Sequence, residues 1–284
     1  MKTKPPIVDA HVHIFPPEMI SRREALLSED LWFNETYGHP AAKMRTGEEL
    51  IARMDSAGVD ISVVVGWPWR RNEHCSEHND YLAACAARWP DRIIWLGIVN
   101  PTDTGAIEEV DRCASLGAAG FGELNADGQG FSWSEPDQYL TTIRQVASHH
   151  LPIMTHTSEP VGHLYPGKGM AHPREILTAI EAIPEARWVL AHWGGGLPFY
   201  ELMPEVRELC QSVAYDSAAT SFLYDSAIFR HVIDLVGVEK VLFGSDWPVL
   251  GQAKLIQRIR DAELSDEELA AVLGGNALRI YGRR

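Results

Sequence analysis

The chain has 284 residues, 45% of them hydrophobic and 23% charged, and a formal net charge of −14. That length suits one large α/β domain, and so acidic a balance argues against a broad nucleic-acid-binding or anionic-membrane surface. No apolar run reaches a membrane span, and the opening "MKTKPPIVDAHVH" has no apolar signal core, so a cytoplasmic protein is expected. Cys75, Cys85, Cys113 and Cys210 form no CxxC pair and read as reduced thiols. The sequon Asn34-Glu35-Thr36 stands without any other sign of secretion.

Short β-rich runs alternate with longer amphipathic segments. The first run, "IVDAHVH" (7–13), ends in two histidines, His11 and His13. A long connection over 14–45, containing "LWFNETYGHP", is expected to cap an active site or to make a subunit contact in a homo-oligomer. A helix is predicted over 46–58, with Thr46 as N-cap, Glu49 completing a capping box and Gly58 just past the end. Further strands are predicted over 60–67, 92–99, 118–125, 151–157, 186–193, 212–217 and 240–247. Most are nearly continuous in Val, Ile and Leu, as in parallel strands buried on both faces. Helices are predicted over 78–89, 104–117 and 173–183. A closing helical segment over 265–282 is expected to break at Gly274-Gly275.

Eight strands alternating with helices predict one (β/α)8 TIM-barrel domain spanning residues 1–284. An open doubly wound sheet would call for a glycine-rich phosphate turn after the first strand. Here that turn is "HVHIFPP", and neither GxGxxG nor a Walker A motif occurs.

In a barrel the C-terminal strand ends form the active-site face. Strand one places His11 and His13 there, strand four Glu123, strand five His156, strand six His192 and strand eight Asp246. Alternation along a strand sends residues i and i+2 to the same side, so His11 and His13 point into the barrel mouth together. Taken alone, each of these residues has an ordinary structural reading, as a half-buried histidine, a helix cap or a surface carboxylate. Their joint position at one face points instead to a divalent metal site. Several imidazole nitrogens with a carboxylate suit Zn²⁺ first, with Mn²⁺ as the alternative.

The segments "DAHVHIF", "HTSEP", "AHWGG", "LFGSDWP" and "GGNALRIYG" resemble, in order and across nearly the whole chain, the amidohydrolase superfamily. The resembling branch contains aminocarboxymuconate-semialdehyde decarboxylase, resorcylate decarboxylases and small lactone hydrolases. The resemblance implies that His11, His13, His156 and Asp246 bind metal, with His192 as acid or base, or as a ligand if two ions are present. Glu123, in "FGELN", resembles a carboxylate that bridges two metals in related hydrolases; if it bridges, the resemblance implies one ion on His11, His13 and Asp246 and the other on His156 and His192. The alternative for Glu123 is to bind substrate or to steady a ligand histidine.

Two reactions follow from this ligand set. In the first, preferred reading, metal-activated water hydrolyses an ester, lactone or amide carbonyl, with Asp246 and His192 handling protons. In the second, an unsaturated or aromatic acid loses CO₂ without oxidation. For substrate contacts, the loops after strands two and five offer Trp67, Arg70, Arg71, His163, Lys168 and Arg174, and Trp247 follows Asp246. These predict a small anionic, planar substrate held by arginine and tryptophan. "WGGG" (193–196) offers backbone N–H groups to an anion or simply makes a turn. A barrel kept only as a binding scaffold would not need every ligand position filled.

Overall fold

The computed structural model describes residues 5–282. Its eight strands are β1 (Val8–His13), β2 (Ile61–Val65), β3 (Ile93–Trp95), β4 (Phe121–Leu124), β5 (Ile153–Thr155), β6 (Trp188–Leu190), β7 (Val213–Asp216) and β8 (Val241–Leu242). Each pairs in parallel with the next, in one run β1–β3 and another β4–β8. Two seams close the ring. Gly97 N donates to Gly120 O at 2.9 Å and Gly122 N to Gly97 O at 2.8 Å. On the opposite side Ala10 N donates to Phe243 O and His13 N to Trp247 O, both at 2.8 Å. The result is the expected (β/α)8 barrel. Its ladders are shorter than the apolar runs: in every run but the first, the last residues lie beyond the strand, towards the barrel mouth.

Period-two alternation divides the buried side chains between two cores. Val63 and Val65 point inward with Val8, Ala10, Met154 and Leu242, while Val64 faces the helix layer with Trp95 and Phe121. All three β2 valines are fully buried, each contributing roughly 1.5–3 kcal/mol by removal from water. All four cysteines are buried and free of disulfides. Among the described residues, no helix is long and apolar enough to cross a membrane.

The helix Gly47–Ala57 has the predicted capping box, with Glu49 Oε2 accepting from Thr46 N at 2.9 Å, and Gly58 follows at φ +70°. The helix expected at 78–89 starts earlier, at Asn72–Arg88. The added turns, Asn72 to Glu77, bury only Cys75 and so show no apolar periodicity, while His78 and Asn79 are buried further along. His78 Nε2 donates to Ile14 O at 2.7 Å, and the Asn79 amide pairs with the backbone of Ile98. At the C-terminus the expected break is absent. A wide π turn, Ala271–Gly275, joins the helices Asp266–Ala270 and Asn276–Tyr281. Gly274 is there for close packing, since a Cβ would lie 2.1 Å from the Pro6 carbonyl oxygen. The long first connection folds into three short helices, Pro17–Ser21, Arg23–Glu29 and Leu31–Tyr37, and lies over the barrel mouth.

Candidate metal centre

The site starts from a single buried anchor. Asp9, fully buried on β1, accepts from Ser245 N and Oγ at 2.8 and 2.6 Å and from Gln252 Nε2 at 2.8 Å. This pins β1 to the segment after β8. The β1 register shifts between Asp9 and Val12. His11 and His13 turn to the same side, as alternation requires, and their Nε2 atoms stand 3.2 Å apart. Asp246, at φ +63°, is held by its own N–H to the His11 carbonyl at 3.0 Å. Its Oδ1 lies 3.7 Å from His13 Nε2 and 3.9 Å from His11 Nε2.

Glu123 stands at the centre. Its Oε2 lies 3.6 and 3.5 Å from Nε2 of His11 and His13, while its Oε1 lies 3.1 Å from His156 Nδ1 and 3.2 Å from His192 Nε2. His156 donates its other ring nitrogen, Nε2, to the Lys168 carbonyl at 3.0 Å. His192 lies in a left-handed turn that continues through Trp193, Gly194 and Gly195 at φ near +60°. A Cβ on Gly195 would sit 2.3 Å from the Ser158 carbonyl oxygen, so "WGGG" serves as a turn packed against the β5 loop.

Two three-donor groups result, His11–His13–Asp246 and Glu123–His156–His192, each compact enough to hold a metal ion. His156 therefore falls with Glu123 and His192, apart from the first-strand pair. The donor chemistry fits a divalent cation. Two imidazole nitrogens and two carboxylates converge within 3.2–3.9 Å, an arrangement that needs positive charge among them. The ionisation of these groups reflects the same need. Burial disfavours the charged form of His11, yet the carboxylates of Asp216 and Glu123 outweigh it and hold its pKa well above the ordinary value. His192 is likewise opposed by burial but lifted to about 9, chiefly by Glu123. Burial pushes Glu123 up, but the surrounding histidines hold it well below the usual carboxylate range.

Above these groups lies a cavity of about 600 Å³, walled by Trp32, Tyr37, Trp67, Tyr165 and Phe222. Of the residues expected to touch substrate, Trp67 and His163 line it, but Arg70, Arg71, Lys168, Arg174 and Trp247 do not. Arg70 and Arg174 are exposed outside the cavity, and Arg71 pairs with Glu73 at 2.8 Å. Lys168 turns its ammonium onto the carbonyls of Val161 and His163, at 2.7 and 3.2 Å, folding its own loop. Trp247 is packed into the outer core. Lys43, which sequence reasoning did not select, is the single Lys or Arg lining the cavity among the described residues. Trp32, Tyr37 and Lys43 come from the first connection, which carries no motif. Asp216, beneath the site, was detectable: it is a carboxylate at a strand end, in "AYDS".

Comparison with known proteins gives consistent relatives. A curated 2-amino-3-carboxymuconate-6-semialdehyde decarboxylase of Dictyostelium discoideum is 25% identical over 238 residues, 72% of this chain; the chain spans 65% of that relative's length. The crystal structure of 5-carboxyvanillate decarboxylase from Sphingomonas paucimobilis superposes with a TM-score of 0.82 at 20% identity, covering 98% of this chain and 99% of that one. A dihydroxybenzoic acid decarboxylase from a Polaromonas species, solved with manganese and 2-nitroresorcinol, has a TM-score of 0.75 at 17% identity over 97% and 96% of the two chains. These relatives overturn the preference for hydrolysis, since each is a decarboxylase. A family model described as Amidohydrolase matches residues 8–283, and the chain belongs to that family.

Proposed function

We propose that the protein is a metal-dependent, non-oxidative decarboxylase of a small aromatic or unsaturated carboxylic acid. The observation that carries this reading is the pair of metal-competent donor groups at the floor of an aromatic-walled cavity. The decarboxylase identity of the relatives supports the same choice. His11, His13 and Asp246 would hold the ion, with Glu123 facing both donor groups and His156 and His192 completing the second. Manganese, present in the Polaromonas relative, is favoured over zinc. When bound, a divalent ion would draw negative charge out of the substrate's carboxylate or a neighbouring hydroxyl.

The chain's own residues account for the rest. Trp32, Trp67 and Tyr37 offer flat walls to a planar ring, and the cavity has a volume suited to a small ligand. Lys43 supplies the positive charge that the sequence assigned to arginines. In the metal-free protein His192, its pKa lifted to about 9 chiefly by Glu123, holds a proton at neutral pH, and it lies at the cavity wall. As the bond to CO₂ breaks, its electron pair stays on the substrate carbon and takes up a proton delivered by His192 or Asp246. Release of CO₂ from such an acid by the manganese-loaded protein tests this reading.

A further inference from the structure

Strand β7 supplies no residue to either donor group, yet its last residue touches both. Asp216 is fully buried, and its carboxylate accepts three hydrogen bonds. Oδ2 accepts from His11 Nδ1 at 2.9 Å, while Oδ1 accepts from His192 N at 3.1 Å and from Ala218 N at 2.9 Å. One side chain thus grips the ring of a β1 histidine and the backbone of the β6 histidine, across the barrel floor.

The geometry points to Asp216 as the positioning residue that sets which nitrogen of His11 faces the metal and locks the left-handed turn carrying His192. This rests on the metal reading above, and not on the identity of the reaction. A neutral imidazole carries one N–H. An acceptor fixed at Nδ1 keeps the proton there and leaves the Nε2 lone pair free. That nitrogen is the one aimed at His13, Glu123 and Asp246. Asp216 reaches His192 through its main chain, so the same carboxylate fixes the spacing between the two donor groups at φ +55°, where a Cβ-bearing residue needs support.

Asparagine has nearly the same shape but only one acceptor oxygen. In Asp216→Asn, an amide oxygen satisfying His192 N and Ala218 N turns its NH₂ towards His11 Nδ1. This favours the opposite tautomer, with the proton on Nε2 where the metal should bind. The test is the Mn²⁺ dissociation constant, read from the free-ion EPR signal, for wild type, Asp216→Asn, His11→Asn and the double variant. The expectation is a 10–100-fold weakening in Asp216→Asn. The double variant should be no weaker than His11→Asn alone, because Asp216 acts through that ring. Wild-type affinity in folded Asp216→Asn, or full additivity in the double variant, overturns the proposal. An independent measurement needs no variant: side-chain ¹⁵N NMR of zinc-loaded wild type should show His11 protonated at Nδ1 and metal-bound through Nε2. The reverse assignment overturns it. A wild type that binds neither ion overturns the metal reading itself, and this inference with it.

Discussion

Glu123 Oε1 lies 3.1 Å from His156 Nδ1, while the other oxygen of the same carboxylate faces His11 and His13 at 3.6 and 3.5 Å. One carboxylate therefore joins both donor groups. Glu123→Gln keeps the shape and removes the charge, so the variant should bind Mn²⁺ at least about tenfold more weakly than wild type. Isothermal titration of both proteins measures it, and equal affinities would show that Glu123 has no part in holding the ion.

The raised pKa of His192 makes a pH-dependent prediction for the metal-free protein. The folded value, about 9, lies above the ordinary 6.5 of an unfolded chain. The native state therefore binds more protons in that window, and the stability from protonated His192 is complete below 6.5 and lost as pH rises through 9. Thermal unfolding of chelator-treated protein should show Tm falling over this range. A flat Tm profile would contradict the His192–Glu123 pairing.

Among the described residues, Lys43 is the single Lys or Arg in the cavity lining. Lys43→Met should raise KM for an anionic substrate about tenfold, the loss of one charge-assisted contact, and leave kcat within about threefold. Steady-state kinetics decide this, and an unchanged KM removes Lys43 from substrate binding.

Gly195 takes φ +59°, with the Ser158 carbonyl 2.3 Å from where a Cβ would stand. Gly195→Ala adds roughly 1–2 kcal/mol of backbone strain as well as that clash. A loss of at least about 2 kcal/mol in urea unfolding is expected. Unchanged stability would mean the turn below His192 readily rearranges.

Much of this site was legible in the sequence because barrel topology makes strand ends converge. His11, His13, Glu123, His156, His192 and Asp246 were picked by that rule, and the structure brings all six together. Their division into His11–His13–Asp246 and a group with His156 and His192 followed from reading Glu123 as a bridge, and the structure arranges the side chains in those groups, with the Lys168 carbonyl gripping His156 Nε2. The cavity walls were beyond reach. Trp32, Tyr37 and Lys43 belong to a connection whose path is set by tertiary packing, such as Phe33 stacked on Tyr37 at 5.0 Å between ring centres. Loop arginines misled for a related reason: Arg71 can satisfy its charge locally, on Glu73, without turning inward. The early start of the helix Asn72–Arg88 escaped notice because its first six residues, Asn72 to Glu77, bury only Cys75 and so show no apolar periodicity.

The central claim is best tested by following CO₂ release from 2,6-dihydroxybenzoate, 5-carboxyvanillate and an unsaturated amino-carboxy acid. Chelator-treated protein would be assayed with and without added Mn²⁺, beside Asp246→Asn. The account predicts CO₂ from at least one of these acids, only with the metal and not from the variant. Metal-loaded, folded protein that releases no CO₂ from any of them, yet cleaves an ester or lactone, would contradict it.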